Sequence, residues 1–296
     1  MAERARIRTV GLVVHSGRPS AVRAGGALQD WLRANGVTTR CLDDEPVAAD
    51  ERCAADRFAE GLDLVLSVGG DGTLLRAAQL AGPADVPLLG VKVGHLGFLT
   101  EIDPDEAPDL LTRLLHGTML TENRLALVAE PGHATSHPRS LWALNEVILE
   151  KSARHRLITV KATVGTEHVT TFSADGVMVA TPTGSTAYSF SARGPVISPK
   201  VPCILLTPVS PHMVFDRSIV LGAEEEVTLE VLGDEPGLLS ADGQAGPELP
   251  VGSKVLIRAA PRPARLVRRE GSPTFFALLR EKFSLPGAAP HGDVGV

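Results

Sequence analysis

The glycine-rich stretch Ser-Val-Gly-Gly-Asp-Gly-Thr at residues 67–73 constrains the fold of this chain more than any other feature. A short apolar run at 62–66 precedes it and good helix formers at 74–81 follow it, a pattern that predicts a strand, a tight loop and a helix. Glycines at a helix entrance let the backbone approach an anion, and the amides and dipole of the helix N-terminus favour a phosphate oxygen. The loop therefore predicts a phosphate site at the end of a buried strand.

Asp71 is the residue of this loop that needs a separate explanation. A carboxylate would repel a bound phosphate unless a metal ion stands between them or the carboxylate faces a hydroxyl group whose proton is to be removed. Both arrangements indicate phosphoryl transfer. The alternative is a Gly-Asp-Gly turn without any ligand, because this tripeptide is common in turns. The loop alone leaves that alternative open.

Composition and charge narrow the class of protein. With 296 residues, 44% of them hydrophobic and 22% charged, the chain can bury a full core and is long enough for two domains. The formal net charge of -6 and the scattered basic residues argue against a nucleic-acid partner. The one basic group is Arg262, Arg265, Arg268 and Arg269, which we interpret as an exposed strand or its flanks, with phosphate contact as the alternative.

The cysteines and the N-terminus predict a cytoplasmic protein. Cys41, Cys53 and Cys203 are odd in number and widely spaced, which indicates neither a disulfide framework nor a zinc site. The apolar run that follows the first residues is too short for a signal peptide or a membrane span. We therefore expect a reducing compartment and no membrane partner.

The first part of the chain has the pattern of an α/β domain. A strand at 9–15 is followed by a helix that Ser20 caps and Gly36 stops, and a further strand at 86–93 ends in a second glycine loop, 94–99. Strands that alternate with helices predict a parallel, Rossmann-like sheet, in which ligands sit at the carboxyl ends of the strands. Both glycine loops should therefore lie on the same edge.

A helix closes this domain, and the pattern then changes. Asp-Pro-Asp-Glu at 103–106 has the form of a capping box for a helix that ends near His116. Period-two alternation at 158–164 and 227–231 predicts a mostly antiparallel β domain. A last helix at 275–283 could pack back on the first domain, and a loose tail follows it. The predicted domains are residues 1–121 (α/β), 122–270 (β-rich) and 271–296 (helix and tail).

Two segments of the β domain carry polar residues that folding does not require. Asn145 and Glu146 interrupt an apolar strand at 143–149, where adjacent side chains would face opposite ways. A strand in the segment 173–189 runs into a hydroxyl-rich turn and then a helix start, whose small residues and amides could contact a flat ligand. Tyr188, the only tyrosine, could stack on a base; the alternative is a helix cap with a core tyrosine.

Four motifs in order resemble those of the NAD kinase family. They are the Gly-Gly-Asp-Gly-Thr loop at 69–73, the loop at 90–100, Asn145-Glu146, and the segment 175–188. The resemblance covers roughly residues 60–285. The first loop occurs in similar form in lipid kinases and phosphofructokinase relatives, whereas the long fourth segment is lacking in lipid kinases and is much more specific.

This resemblance implies transfer of the γ-phosphoryl group of ATP, with a divalent ion such as Mg²⁺, to the 2′-hydroxyl of the adenosine ribose of NAD. Asp71 occupies the place of the aspartate near the accepting hydroxyl, and we expect the phosphates rather than protein ligands to hold the metal. Asp175 would reach the nicotinamide end across a subunit boundary, which implies a homodimer or homotetramer. By the same resemblance, Asn145 and Glu146 would hold the adenosine of NAD, and the glycine loop would contribute Gly69, Gly70, Gly72 and Thr73. The residues that would line the adenine pocket are Phe98, Thr183, Thr186, Ala187, Tyr188 and Ser191.

The sequence departs from the family pattern at two positions. Lys92 stands where many relatives have asparagine, and Arg193 replaces a glycine after the tyrosine segment. An arginine there implies relaxed backbone geometry or a changed contact, and Lys92 could add a phosphate contact. The alternatives are a kinase of the same superfamily with another acceptor, and a dinucleotide-binding regulator without turnover. No metal-ligand spacing unites the histidines that we interpret as packing or surface residues, His15, His95 and His212.

Overall fold

A computed structural model describes the chain over residues 7–94, 97–117, 119–132, 140–153 and 155–286. The chain forms two compact units. The first comprises Met1–Ala81, Val86–Glu122 and Leu266–Val296, and the second comprises Gly82–Asp85 and Asn123–Arg265.

Nineteen strands and five α-helices are assigned within the described ranges. The strands are β1 Thr9–Val14, β2 Thr38–Leu42, β3 Glu51–Cys53, β4 Leu64–Gly69, β5 Leu88–Lys92, β6 Leu120–Arg124, β7 Leu127–Pro131, β8 Leu141–Ala143, β9 Glu146–Lys151, β10 Ile158–Val164, β11 Glu167–Ala174, β12 Gly176–Ala180, β13 Cys203–Val209, β14 Ile219–Gly222, β15 Val227–Leu232, β16 Gly237–Ala241, β17 Gln244–Leu249, β18 Lys254–Ala259 and β19 Ala264–Arg268. The helices are α1 Pro19–Ala34, α2 Asp71–Ala81, α3 Ala107–Leu115, α4 Tyr188–Ser191 and α5 Phe275–Lys282.

The first unit is built on a sheet with the strand order β3-β2-β1-β4-β5-β19-β6. Its central strands β1, β4 and β5 pair in parallel, with Val10 opposite Leu64 and Val65 opposite Leu88. Such strands are buried on both faces, which explains their continuous apolar sequence. The predicted parallel sheet is confirmed, and the carboxyl ends of β4 and β5, where the two glycine loops begin, lie at the same edge.

The first helix begins two residues earlier than the sequence predicted. Its N-cap is Arg18 and Pro19 is its first residue, so the prediction that Ser20 caps the helix is wrong. The physical reason is Pro19, whose fixed φ suits the first helical position and makes the preceding residue the cap. The predicted end is confirmed, because Asn35 caps the C-terminus and Gly36 follows with φ +73°.

The later helices of the first unit follow the predicted pattern. Asp103 and Glu106 form the reciprocal capping box ahead of α3. The side chain of Thr274 caps α5 by accepting a hydrogen bond from the Ala277 amide at 3.3 Å. The α5 helix belongs to the first unit, as predicted, and buries Leu278 there. The predicted loose tail beyond residue 286 and His95 lie outside the described residues.

The second unit contains two antiparallel six-stranded sheets, as predicted. Their strand orders are β11-β10-β15-β18-β7-β8 and β14-β13-β12-β9-β16-β17. One hydrophobic core takes residues from both sheets, because alternate side chains of each strand point to the same side. Six of the seven alternating residues in the predicted pattern are fully buried in this core, whereas Val164 at the end of β10 is only partly buried. The six are Ile158, Val160, Ala162, Val227, Leu229 and Val231.

The apolar run at 143–149 is not one strand. Strand β8 of one sheet ends at Ala143, and strand β9 of the other sheet begins at Glu146. Leu144 and Asn145 connect the two strands. The prediction of a single strand with opposed polar side chains is therefore wrong, because hydrogen bonds from distant residues redirect the backbone here. Among the described residues, none of the helices has the length and apolar character needed to cross a membrane.

Candidate functional site

The glycine loop of the first unit forms the entrance of α2. Strand β4 ends at Gly69, and the carbonyl of Gly70 accepts hydrogen bonds from the amides of Thr73 at 3.0 Å and Leu74 at 3.2 Å. A Cβ atom on Gly69 would lie 2.4 Å from Oγ1 of Thr73, so the turn has no room for a side chain at position 69. The amides that open a helix have no intrahelical acceptor, which makes this turn a donor site for an anion.

The carboxylate of Asp71 is held by the second glycine loop. Its Oδ2 accepts a hydrogen bond from the Phe98 amide at 2.8 Å, and its Oδ1 accepts one from the Leu99 amide at 3.1 Å. A Cβ atom on Gly97 would lie 1.9 Å from Oδ1, so this close approach requires glycine. Each oxygen keeps a further lone pair, which can accept a hydrogen bond from a hydroxyl group.

A cavity of about 420 Å³ opens beside the glycine loop within the first unit. Gly70, Gly72 and Thr73 line it together with residues that the sequence analysis did not assign to a site: Val14, His15, Ser16, Arg18 and Arg76. Three of these residues follow strand β1, the neighbour of β4, and the sheet rule that places ligands at carboxyl ends was the signal for them. His15 is exposed at the rim, as a surface residue would be.

The two arginines of this cavity are anchored to the protein. Arg76 forms an ion pair with Glu45 and donates to the carbonyl oxygen of Val14 at 2.9 Å, and Arg18 donates to the carbonyl oxygen of Val93. Burial raises the pKa of Glu45, while the Val14 amide and the Arg76 guanidinium act in the opposite direction. The anchors fix two cationic groups at the cavity wall.

Several basic residues outside this cavity form ion pairs with carboxylates. Lys92 is one of the two departures from the family pattern, and its Nζ lies 3.3 Å from Oδ1 of Asp103. In the basic group near the C-terminus, Arg268 is largely buried and pairs with Glu101 at 2.6 Å. The interpretation of an exposed strand is wrong for Arg268. The other paired members are Arg265 with Asp85 at 3.0 Å and Arg269 with Glu106 at 2.7 Å.

Phe98 lies in an aromatic group of the first unit. Its ring centroid is 6.2 Å from that of Phe275 and 6.3 Å from that of Phe283. These contacts attach the C-terminal helix to the loop whose amides hold Asp71. The ring remains half-buried.

In the second unit, Asn145 and Glu146 are both buried, each with 8% exposure. Their amides donate to the carboxylate of Asp242 at 2.8 and 3.1 Å, although almost a hundred residues separate them in sequence. On the other side, the carbonyl oxygen of Asn145 accepts a hydrogen bond from the Thr181 amide at 2.8 Å. Asp242 and Thr181 were absent from the predicted site, because no local pattern reveals a contact between distant turns.

The two carboxyl groups of this cluster have raised pKa values. Burial, with a smaller contribution from the charge of Asp242, raises the pKa of Glu146 to about 8. Burial raises the pKa of Asp242 to about 6 against the opposing effect of three amide donors. Oε2 of Glu146 has no hydrogen-bond partner among the described residues. The cluster thus contains an acceptor that a ligand hydroxyl can satisfy.

The hydroxyl-rich turn packs directly on this cluster. A Cβ atom on Gly184 would lie 2.1 Å from the carbonyl oxygen of Asn145. The Ser185 hydroxyl donates to the carbonyl oxygen of Pro182 at 2.7 Å and accepts from the Ile197 amide at 2.9 Å. These contacts make the turn rigid and bring two of the predicted motifs together within one unit.

A short helical segment carries the residues that the resemblance assigns to an adenine pocket. Thr183 is buried, and its hydroxyl accepts from Nη1 of Arg124 at 3.4 Å. Tyr188 is 41% exposed, and burial of the rest of its side chain raises the pKa of the phenol. The remaining members are exposed or half-buried on the same segment: Thr186, Ala187 and Ser191.

Asp175 and Arg193 lie close to these motifs in sequence. Asp175 forms an ion pair with Lys151, so its charge is partly neutralised. Arg193 has φ +65°, and its amide donates to the carbonyl oxygen of Phe190 at 3.0 Å at the end of α4. The arginine therefore keeps the left-handed backbone that favours glycine, and the expectation of relaxed geometry is wrong.

The described ranges contain no group of three or more histidine, cysteine, aspartate or glutamate side chains that could hold a metal ion. Asp71 is the carboxylate of the glycine loop, and amides hold both of its oxygens. These residues do not fit a protein cage for a metal. A divalent ion that enters as a complex with a nucleotide triphosphate needs no such cage, because phosphate oxygens supply its ligands.

Comparisons with known proteins agree over most of the chain. Residues 10–119 match the family model of the ATP-NAD kinase N-terminal domain, and residues 144–269 match that of the C-terminal domain. The chain is 40% identical to the NAD kinase of Heliobacterium modesticaldum, over 93% of this chain and 98% of the relative. It is 41% identical to the NAD kinase of Symbiobacterium thermophilum, over 92% and 98%. A yeast NADH kinase complexed with NADH superimposes with a TM-score of 0.85 over 98% of this chain and 91% of that one; at 23% identity, this likeness shows the fold alone.

Proposed function

Because the chain belongs to the NAD kinase family, as its motifs predicted, we propose that it transfers the γ-phosphoryl group of ATP to the 2′-hydroxyl of the adenosine ribose of NAD, giving NADP. One observation carries the proposal beyond family membership. The Asp71 carboxylate stands at an intact phosphate-type helix entrance and is oriented there by two amides. The alternative of a dinucleotide-binding regulator without turnover would be favoured only by a degenerate glycine loop at 69–73. That loop is intact in this sequence.

The donor phosphates bind at the cavity of the first unit in this proposal. Its volume of about 420 Å³ is in the range of small-ligand sites, and the entrance of α2 supplies amide donors. The anchored guanidinium group of Arg18 adds positive charge at the wall, whereas Glu45 partly neutralises the charge of Arg76. A divalent ion such as Mg²⁺ would be held by the ATP phosphates rather than by side chains of the described residues, and it would supply charge neutralisation.

Asp71 orients the accepting hydroxyl and finally takes its proton. The amides of Phe98 and Leu99 fix the carboxylate plane and leave one lone pair of each oxygen for the hydroxyl. In phosphoryl transfer through a loose transition state, the nucleophile needs little early deprotonation, so orientation contributes more than basicity. Loss of Asp71 should therefore reduce the rate more than loss of any other side chain.

The second unit holds the adenosine of NAD in this proposal. Glu146 accepts from ribose hydroxyls, for which its buried and unsatisfied oxygen is suited. Asn145 contacts the base or ribose beside it, and Tyr188 offers a partly exposed ring for stacking. The other assigned residues, Gly69, Gly70, Gly72, Thr73, Phe98, Asp175, Thr183, Thr186, Ala187 and Ser191, remain proposals of the same kind.

The protein is further proposed to be a cytoplasmic homo-oligomer. The three cysteines are buried and free, which suits a reducing compartment. Val214, Phe215 and Val220 of the second unit are exposed apolar side chains of the kind that subunit interfaces cover. In the proposed domain division, residues 1–121 contain the glycine loop, residues 122–270 contain the NAD-binding motifs, and residues 271–296 are the C-terminal helix and tail. Light scattering after gel filtration measures the oligomeric state.

An endpoint assay tests the reaction. Purified protein is incubated with ATP, magnesium and NAD, and NADP is detected through an NADP-specific dehydrogenase. We expect NADP with the wild type and a loss of several orders of magnitude with Asp71→Asn. Bound NAD without any NADP would contradict the proposal and favour another acceptor. A parallel assay with NADH and with inorganic polyphosphate identifies the preferred acceptor and donor.

A further inference from the structure

We propose that Asp242 is a positioning residue for NAD: its carboxylate holds the backbone of residues 144–146 in the conformation that presents Asn145 and Glu146 to the dinucleotide. The inference rests on the proposed function, because it takes these two residues as the ones that bind the adenosine. Asp242 lies in the turn between β16 and β17, outside every motif that the sequence analysis singled out.

Three successive amides point at this one carboxylate. Oδ2 of Asp242 accepts a hydrogen bond from the Leu144 amide at 2.7 Å. Oδ1 accepts from the Asn145 amide at 2.8 Å and from the Glu146 amide at 3.1 Å. Three consecutive amides cannot converge on one group from an extended strand, because alternate amides of a strand point to opposite sides. The carboxylate is therefore what stabilises the turn between β8 and β9.

The carbonyl groups of the same residues are also occupied. The carbonyl oxygen of Leu144 accepts from the Thr181 hydroxyl at 2.6 Å, and that of Asn145 accepts from the Thr181 amide at 2.8 Å. The carbonyl oxygen of Glu146 accepts from the amide of Asp242 itself at 3.0 Å. All six backbone polar groups of residues 144–146 thus have a partner from another element. A segment held this way presents its side chains in one orientation and loses little entropy when a ligand binds.

Turn geometry is the simpler explanation for an aspartate at this position, but it does not account for the carboxylate. Asp242 has φ +49° and Gly243 has φ +76°, the pattern of a type I′ turn, which Asp-Gly and Asn-Gly both favour. Asparagine would therefore serve the turn equally well. Its amide carries one acceptor oxygen and one donor nitrogen, so in either orientation the nitrogen would face a backbone amide of residues 144–146. Only a carboxylate accepts all three bonds.

The substitution Asp242→Asn separates the two roles, because it keeps the size and the turn preference and removes one acceptor. We expect the Kd and KM for NAD to rise about 10- to 100-fold, in the range of a lost hydrogen bond to a charged group. The KM for ATP should stay within about twofold. Ile257→Val, which removes one buried methyl group from β18, is the control for a general loss of stability. The Kd for NAD is measured by calorimetry and the KM values by steady-state kinetics, both well below the melting temperature of each variant.

A double substitution tests whether Asp242 acts through Asn145. If it does, Asp242→Asn should raise the Kd for NAD by a smaller factor once Asn145→Ala is present, and the remaining rise reports its action through Glu146. An unchanged Kd for NAD in the single variant, an equal rise of both KM values, or full additivity with Asn145→Ala would each overturn the inference. Wild-type protein that binds NAD without turnover would refute the proposed reaction, and the Kd values would still decide the role of Asp242. Wild-type protein that binds no NAD would refute both.

Discussion

Gly97 lies against the Asp71 carboxylate, which we propose to be catalytic, and adding one methyl group there should slow the reaction strongly. A Cβ atom at this position would lie 1.9 Å from Oδ1 and 2.5 Å from Cγ of Asp71. Since a carbon and an oxygen atom approach to about 3.3 Å at the closest, Gly97→Ala must separate the loop and the carboxylate by about 1.4 Å. That movement is sufficient to break the hydrogen bonds from Phe98 and Leu99, which are 2.8 and 3.1 Å long.

The expected loss follows from this displacement. A misplacement of about 1 Å at a reacting group costs on the order of 100-fold in rate, which corresponds to about 3 kcal/mol of transition-state stabilisation. We expect kcat to fall by about that factor in the NADP assay. The Kd for NAD should rise less than kcat falls, because the displaced loop carries Phe98 whereas Asn145 and Glu146 are untouched. Gly26→Ala, at a helical glycine with open space around it, is the matched control and should keep full activity. If Gly97→Ala retained kcat within about threefold, the reasoning that the second glycine loop orients Asp71 would be wrong.

Three further predictions concern other positions. Arg193→Gly should raise the free energy of unfolding by about 1 kcal/mol, seen as a higher melting temperature, because glycine relieves the left-handed conformation at φ +65°. Gly184→Ala should raise the KM for NAD at least about tenfold with an unchanged KM for ATP, since a Cβ atom would lie 2.1 Å from the carbonyl oxygen of Asn145. Stability should also depend on Glu146: its pKa is about 8 in the folded state against 4.5 as the ordinary value, so the folded state binds the proton more tightly. The contribution of Glu146 to the free energy of unfolding is therefore fully present below about pH 4.5 and declines as the pH rises towards 8. Urea unfolding at about pH 6 and pH 8 should show this decline in the wild type and a smaller one in Glu146→Gln; an equal decline in both would contradict the assignment.

Sequence patterns predicted the elements because those elements are determined locally. The continuous apolar residues of β4 and β5, the capping box at Asp103 and Glu106, and the alternation in β10 and β15 each depend on neighbours within a few positions. The family and its reaction were predicted for a related reason, since the glycine loop and the hydroxyl-rich turn are contiguous in sequence. The cap of α1 was mispredicted by a local competition, in which Pro19 fixed the helix start ahead of Ser20.

The errors and omissions lie where distant segments meet. The break between β8 and β9 depends on Asp242 and Thr181, which are separated from it by about 100 and about 40 residues. The burial of Arg268 depends on Glu101, which lies in another part of the chain. No periodicity or turn signal in one segment encodes such a partner, because the hydrogen bond exists only once both segments have folded.

The sequence by itself determined the α/β and β-rich architecture and the family. It also indicated Asp71, Asn145 and Glu146 as the residues of interest. Both were possible because apolar periodicity and contiguous motifs are already present in the unfolded chain. Only the tertiary structure decided how those side chains are held. The close approach of Gly97 to Asp71 and the convergence of three amides on Asp242 are contacts between residues far apart in sequence. Their geometry arises when the sheets assemble, since packing and hydrogen bonding over the whole unit fix it.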